Sequence, residues 1–463
     1  MSIANITSAF GDKLLVFQSF SNRPALHEWK KELEDVISKL SSSAETMDHM
    51  LHVLHRAQRL LGIYDAGLED NLDFYNALYA ANLKSWEDFD EPPVSRELQE
   101  RLAERLYNID RINDPCAMVE MGDKAKHIMP YLVRRLMENE VPFNVRFYDP
   151  DFESLIKNHA GEEGVQFFAK RHLREWELVN TRMVARTTGA EITPYPEKNK
   201  IYSSIVAPIM EKLLRGEMYF TLTYLPTPND ARKEGMTYED YTKLYFEMCD
   251  QPWEHIQQAQ EILGEKFSQA KILTISNSDG TNIEFDLVDE HGEPFTFVNS
   301  VIAKNVPGSE TFSSVRRDSA NGTIVAKGNF LARHDPSKII KNLTLEFKNG
   351  KIISFSADEG EEYFQEFLDR DPNNYYIGEI GFGTNPHLRK HLMNALLVEK
   401  INGSFHVALG VPILILNMRA NQFMLIMGIR QQMVTIGILL RCYLVKKVVL
   451  LLMAKKSCVM VYG

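Results

Sequence analysis

Apolar residues recur at three- and four-residue spacing through the first quarter of the chain, then give way to alternation. "WKKELEDVISKL" and "MLHVLHRAQRLLGIY" carry the helical period, and "SRELQERLAERLYNID" resumes it after the proline-containing loop "DFDEPPV". Residues 26 to 115 are therefore read as helical, within a helical N-terminal region over 1–120. From about 120 the texture changes. "HIMPYLVRRLMENEV" reads as a helix leading into the strand "PFNVRFYD", and a helical stretch over 152–179 leads to the strand-like "EMYFTLTYLP". Such alternation predicts an α/β layer over 121–270 that closes with a helix over 238–263.

Beyond 270 the chain reads as β-rich. In "KILTISNSDGTNIEFDLV", Asp279-Gly280 separates two strand-like runs, and Asn349-Gly350 does the same in "NLTLEFKNGKIISFSA". Both pairs signal tight hairpins, because a two-residue turn needs positive φ that Asn, Asp and Gly tolerate. The expected fold class is α/β (α+β): helical N-terminal region, α/β middle layer and a β-rich domain over 271–410. No internal repeat or low-complexity linker interrupts it.

The pattern fails over 411–463. Those 53 residues hold seven Lys or Arg and no Asp or Glu, where average usage gives about seven acids. The segment is apolar, but Arg430, Arg441, Lys446 and Lys447 break it below the ~18 to 20 apolar residues of a spanning helix. A membrane anchor is therefore not expected.

Charge and cysteine content narrow the function classes. The chain has 463 residues and a formal net charge of -11, and its 44% hydrophobic and 25% charged content is that of a soluble globular protein. Without the tail's seven basic residues, 45 Lys and Arg face 63 Asp and Glu. That field repels nucleic acid and anionic membrane, so neither is an expected partner. Cys116, Cys249, Cys442 and Cys458 show no CxxC or finger spacing, which fits reduced thiols in a cytoplasmic protein. The first residues lack a basic stretch followed by a long apolar run, so no signal peptide is expected.

Three segments place a metal-capable side chain in a turn or strand-end context: Glu310 in "NVPGSETF", Glu379 in "YYIGEIGFGTNP" and His406 in "INGSFHVALG". Small neighbours let backbone approach an ion, and carboxylate with imidazole suits zinc, cobalt or manganese. Taken singly, a Glu among glycines is more often a solvated turn residue. A lone His in an apolar strand is more often a core histidine. His387 and His391 in "HLRKH" are one helical turn apart, yet no Glu lies between them, and a surface helix face is the expected reading. GxGxxG, GxxxxGK[ST] and GxSxG are all absent, which leaves nucleotide-binding and serine-hydrolase chemistry without a motif.

Taken in order, "YLPTPNDARKEGM", "DQPWEHIQQAQEIL", "ILTISNSDGTNIEF", "NVPGSETF", "EFKNGKIISFSADEG", "IGEIGFGTNP" and "LLVEKINGSFHVALG" resemble the aminopeptidase T / aminopeptidase S family of metallo-aminopeptidases. The resemblance covers about 126 to 410. It implies an α/β fold particular to that family, a homodimer, and release of N-terminal residues from peptides by two divalent ions. Carried over by position, it makes Glu310, Glu379 and His406 metal ligands. Glu379 would bridge the pair, and a second-sphere acceptor would fix the other nitrogen of His406.

The resemblance ends at Gly410. The family then needs a Tyr and later a His-x-Asp pair, but no His, Asp or Glu follows His406 in this chain. A reading-frame shift near the codon for Gly410 accounts for this. Codons built from the last nucleotide of one residue and the first two of the next can restore acids, Asn-Gly and Asp-Gly turns, a Tyr and a His-Trp-Asp triplet. On that reading the tail is out-of-frame text without binary patterning. The chain then holds one ion at most, with doubtful activity and an aggregation-prone end. An intact tail leaves a different reading open: a non-catalytic peptide-binding or interaction module that lost its metal site.

Overall fold

A computed structural model describes residues 44–187, 191–300, 304–332 and 335–410, together with five short strands of the tail. The chain divides into two compact units, Met1–Arg232 with Met236–Phe246, and Lys233–Gly235 with Glu247–Gly463. The part of the expected N-terminal helical stretch that precedes residue 44 lies outside the described residues.

In the first unit the helical period holds. The helix Ala44–Asp65 buries Met50, Leu51, Leu54, Ala57 and Leu61 along one stripe. The Asn71 side chain caps the helix Leu72–Ala81 by accepting from the Phe74 amide, and Ser95 caps Arg96–Leu106 in the same manner. Behind them, four parallel strands run in the order Phe143–Phe147, Ala117–Met121, Thr181–Thr187, Tyr219–Leu225. The pattern had singled out the first and last of these. The two between them, "AMVEM" and "TRMVART", carry Glu120, Arg182 and Arg186 inside the sheet. Those charges hide a strand that the structure buries by pairing Arg186 with Glu120.

The second unit starts with the helix expected over 238–263 in modified form. It is two helices, Tyr238–Cys249 and Trp253–Gln269, of which the second belongs here. Pro252 has no amide hydrogen to continue the first, and sits at the N-cap of the next. Two antiparallel sheets follow. One is ordered Lys351–Ser356, Asp335–Lys348, Asn321–Ala332, Asn282–Asp286, Ile272–Ser276, Val449–Ala454, Ser457–Tyr462. The other is ordered Leu439–Tyr443, Ser404–Leu409, Ile377–Gly383, Glu310–Ser313, Val298–Ser300. A single apolar cluster joins them, with Leu273, Ile283, Phe285 and Leu345 from the first sheet and Ile380, Phe382, Phe405 and Val407 from the second.

The two hairpin signals fare differently. Asn349 and Gly350 form a two-residue turn with φ of 49° and 79° between the paired Lys348 and Lys351. A methyl on Gly350 would stand 1.9 Å from the Arg317 carbonyl oxygen, so this position requires glycine twice over. Asp279-Gly280 also lies in a hairpin, but its loop runs from Asn277 to Thr281. Asn277 Oδ1 accepts from the amides of Asp279 and Thr281 and widens the turn. "HLRKH" is not helical. The Asn385 side chain accepts from the His387 amide at 3.1 Å, which with Pro386 sets a turn, and His391 Nε2 lies 2.6 Å from the Asn329 carbonyl oxygen.

The tail, expected as an apolar end without binary patterning, supplies strands: Leu439–Tyr443 pairs with Ser404–Leu409, and Val449–Ala454 pairs with Ile272–Ser276. Edge pairing is made by amide and carbonyl groups, which any apolar, β-branched run can offer without an evolved alternation. Among the described residues, no helix is long and apolar enough to cross a membrane.

Candidate metal centre

Glu310, Glu379 and His406 come from three adjacent strands of the five-stranded sheet, with the Glu379 strand in the middle. Along that strand Ile380 and Phe382 face the apolar cluster, so Glu379, Gly381 and Gly383 face the other side. A one-residue bulge between Ile377 and Glu379 sets this phase. Ile377 pairs with Leu409 and Glu379 with Ala408, which leaves Gly378 as the extra residue and turns the carboxylate to the His406 face. His406 is opposite Gly381 and Glu310 is opposite Gly383.

The glycines make room for this chemistry. A Cβ on Gly381 would lie 2.3 Å from both Nε2 and Cε1 of His406, so the imidazole occupies the volume a side chain would fill. A Cβ on Gly383 would meet the Ile401 carbonyl oxygen at 2.2 Å, and the turn that leads into the His406 strand packs there instead. The Glu310 end is held by Asn385, whose buried amide donates to the Met248 carbonyl at 3.0 Å and to Ser309 Oγ at 3.2 Å.

His406 Nε2 stands 3.5 Å from Glu310 Oε2 and 3.5 Å from Glu379 Oε1. His406 is wholly buried, and Glu310 nearly so. Neither imidazole nitrogen has a hydrogen-bond partner among the described residues, and neither does Glu310 Oε2. The acceptor expected for the second nitrogen of His406 is therefore not present in the described residues. Three orphaned buried polar atoms each cost about 1–3 kcal/mol, and a shared partner between His406 Nε2 and Glu310 Oε2 would recover that of two of them. Donors around a single zinc ion with bonds of ~2.0–2.1 Å stand about 3 to 3.4 Å apart, close to the separations here.

Among the described residues, no group of three or more His, Cys, Asp or Glu side chains is placed so that it could hold a metal ion. The orphaned atoms are nevertheless a cost that the fold carries. Two carboxylate oxygens and one imidazole nitrogen are donors of the type that zinc, cobalt and manganese take.

The electrostatics centre on two further residues, neither of which the sequence pattern marked. Lys400 Nζ, fully buried, donates to Glu310 Oε1 at 2.8 Å and contacts Glu399. Burial opposes its charge, but Glu310 and Glu399 outweigh that and raise its pKa. Burial pushes the Glu399 carboxyl up to about 7, against the pull of Lys400. For His406, burial lowers the pKa and Glu379, Glu310 and Glu399 more than reverse it, so it stands above the ordinary imidazole value. In "VEKING" a Glu-Lys pair reads as surface charge, and only the burial of the turn reveals its role.

A mixed α/β fold with a buried carboxylate–imidazole cluster at the centre of an antiparallel sheet defines a candidate metalloprotein. The chain belongs to the family described as thermophilic metalloprotease (M29), whose model matches residues 178–414. Over 110 residues the chain is 31% identical to "Aminopeptidase AmpS" of Bacillus subtilis (strain 168), a match covering 23% of this chain and 26% of that protein. It is likewise 31% identical over 110 residues to "Aminopeptidase 2" of Geobacillus stearothermophilus, covering 25% of it. The chain thus spans about a quarter of the length of the curated relatives it matches. Among solved structures, the fold is similar to wild-type AmpT from Thermus thermophilus, with a TM-score of 0.55 and 18% identity over 68% of this chain and 85% of that one.

Proposed function

We propose that this chain derives from a metal-dependent aminopeptidase that removes N-terminal residues from peptides, and that the chain as it stands holds an incomplete site. The observation that carries the reading is the convergence of Glu310, Glu379 and His406 within 3.5 Å contacts, with three polar atoms left unpartnered. Family membership and the names of the curated relatives support the reaction class.

Glu379, in the middle strand, and His406 would hold one divalent ion together with Glu310. Such an ion, when bound, supplies a Lewis acid for the scissile carbonyl and an anchor for a free α-amine. The chain's own residues fix the donor positions: the bulge aims Glu379, Gly381 seats the imidazole and Asn385 holds the turn before Glu310. Zinc, cobalt and manganese all suit this donor set, and the working partner would be a peptide with a free N-terminus. A homodimer in the cytoplasm is part of the same proposal, on family resemblance.

The site lacks the remaining ligands because the frame shifts close to Gly410. The family match stops at residue 414, four residues past that glycine, which supports this placement. Resequencing the DNA across codons 400 to 420 decides it: a confirmed sequence with no family-like ending in another frame removes the shift. The activity test uses the frame-restored chain with leucyl-p-nitroanilide and cobalt or zinc. Hydrolysis is expected and should disappear in Glu379→Ala; hydrolysis indifferent to metal or to Glu379 removes the peptidase reading. A non-catalytic peptide binder is the second reading. It is favoured by one feature, the pairing of Glu310 with Lys400 in place of an open ligand position.

A further inference from the structure

The helix Leu72–Ala81 is apolar on two faces. Phe74, Ala77, Leu78 and Ala81 turn inward to the apolar cluster of the first unit. Leu72, Tyr75 and Tyr79 lie at i, i+3 and i+7 on the opposite face, and they are 72%, 40% and 89% exposed. Apolar residues scattered over a surface need no account, but three on successive turns of one helix make a stripe. A helix apolar all round is normally covered all round. Tyrosine suits an interface, because its ring covers a large area while its hydroxyl stays wet.

Charge and symmetry select what covers the stripe. Asp70 and Asp73 stand exposed at its N-terminal end, and no charged residue follows until Lys84, which also holds Asp90. Two such helices packed in parallel would bring acid against acid. Packed antiparallel, each acidic end meets the uncharged half of the other helix and its Lys84, and the helix dipoles oppose favourably. The stripe is also symmetric about its middle. A two-fold axis between Tyr75 and Asn76 sets Leu72 of one copy against Tyr79 of the other, and the reverse. Such an isologous contact needs only the same patch twice.

The three side chains leave about 400 Å2 uncovered, with ~200 Å2 for a whole tyrosine. A stable complex buries ~800 Å2 per partner, so this contact is weak and follows concentration. We propose that the helix Leu72–Ala81 is a self-association surface, on which a second copy of this chain packs antiparallel through Leu72, Tyr75 and Tyr79. The surface lies outside residues 178–414, the part that matches the family. The inference rests on the homodimer of the proposed function, for which it names the contact, and not on the metal site.

The test is site-specific photo-cross-linking of the full chain, with p-benzoylphenylalanine in place of Tyr79. Irradiation should yield a product of twice the chain mass, linked to residues 72–76 of a second copy, that fades on roughly hundredfold dilution. Leu72→Glu in the same chain should abolish it, and the exposure of Leu72 leaves the fold intact. The same probe in place of Phe167, exposed on another helix, should give no such product. No cross-link at position 79, a link to residues 1–43 of the same chain, or a double-mass product that survives Leu72→Glu overturns the proposal. Equal double-mass products from both probe positions overturn it too, since association then runs through the apolar tail. Sedimentation of the same samples separates this contact from the homodimer reading. A dimer without a cross-link at position 79 overturns the contact alone, and a monomer throughout overturns both.

Discussion

Each unit buries a group of charges, and the two groups are built on opposite terms. In the first unit Arg146, fully enclosed, donates to Glu175 at 2.8 Å and to Glu153 at 2.5 Å, and Glu120 on the neighbouring strand holds Arg186. Acid and base are matched there nearly group for group. Arg182 Nε is an exception, but its guanidinium lies over the rings of Trp176 and Phe220. In the second unit both nitrogens of His406 and one oxygen of Glu310 are left without hydrogen bonds. A network that satisfies itself needs nothing from outside and serves the fold. A network left open at the centre of a sheet carries a cost, which the proposed cation would relieve.

The difference can be broken first at its strongest point. Arg146→Leu removes the guanidinium that bridges the buried Glu153 and Glu175 and leaves Glu175 only its longer contact with Arg171, and should lower unfolding stability by about 3–5 kcal/mol. Urea denaturation followed by circular dichroism measures this. A loss under about 1 kcal/mol would mean that the first network is less enclosed than its geometry indicates.

The open network should respond to ligand where the closed one does not. Zinc at a hundred times its dissociation constant should stabilise the wild-type chain by about 2.7 kcal/mol. Glu379→Gln should show no such gain. Equal shifts in both would place the ion away from this site.

The pH dependence is smaller, about 1.4 kcal/mol for each tenfold change in affinity. The neighbouring carboxylates hold the proton on His406 above its ordinary value, and only neutral imidazole ligates. Without metal, the charge on His406 contributes stability below about pH 6.5, which is lost as pH rises through the folded value. Metal affinity should run the other way and strengthen across that same range. Isothermal titration at a series of pH values checks the sign.

The smallest effect is also the most telling about cost. His406→Leu removes the two orphaned nitrogens, so in the absence of metal it should stay within about 1 kcal/mol of wild type. An equivalent apolar change at Arg146 should not be tolerated. A large loss at His406 would show that its contacts at 3.5 Å hold the apo fold together.

Sequence legibility follows the same division. Where local chemistry decides, the pattern was enough: Asn349-Gly350 turns as expected and the helix Ile128–Glu138 sits where the apolar period put it, while the stretch expected over 152–179 is two helices, Pro150–His159 and Glu162–Arg174. It failed where tertiary contacts override the local signal. Glu120 and Arg186 disguise two central strands, Pro252 divides a helix, and the Asn277 side chain lengthens a hairpin loop. Glu310, Glu379 and His406 gave no compact ligand motif, because their convergence depends on a bulge and on strand order, and only the succession of short segments pointed to them. Lys400 had no signal, since nothing in "VEKING" tells a buried ammonium from an exposed one.

The central claim is that one cation sits among Glu310, Glu379 and His406. Anomalous diffraction at the zinc edge from crystals grown with zinc tests it most directly. The expected result is a single strong peak about 2.0–2.2 Å from an oxygen of each carboxylate and from an imidazole nitrogen of His406. Saturating zinc with no peak there, or with the zinc bound elsewhere on the chain, contradicts the claim.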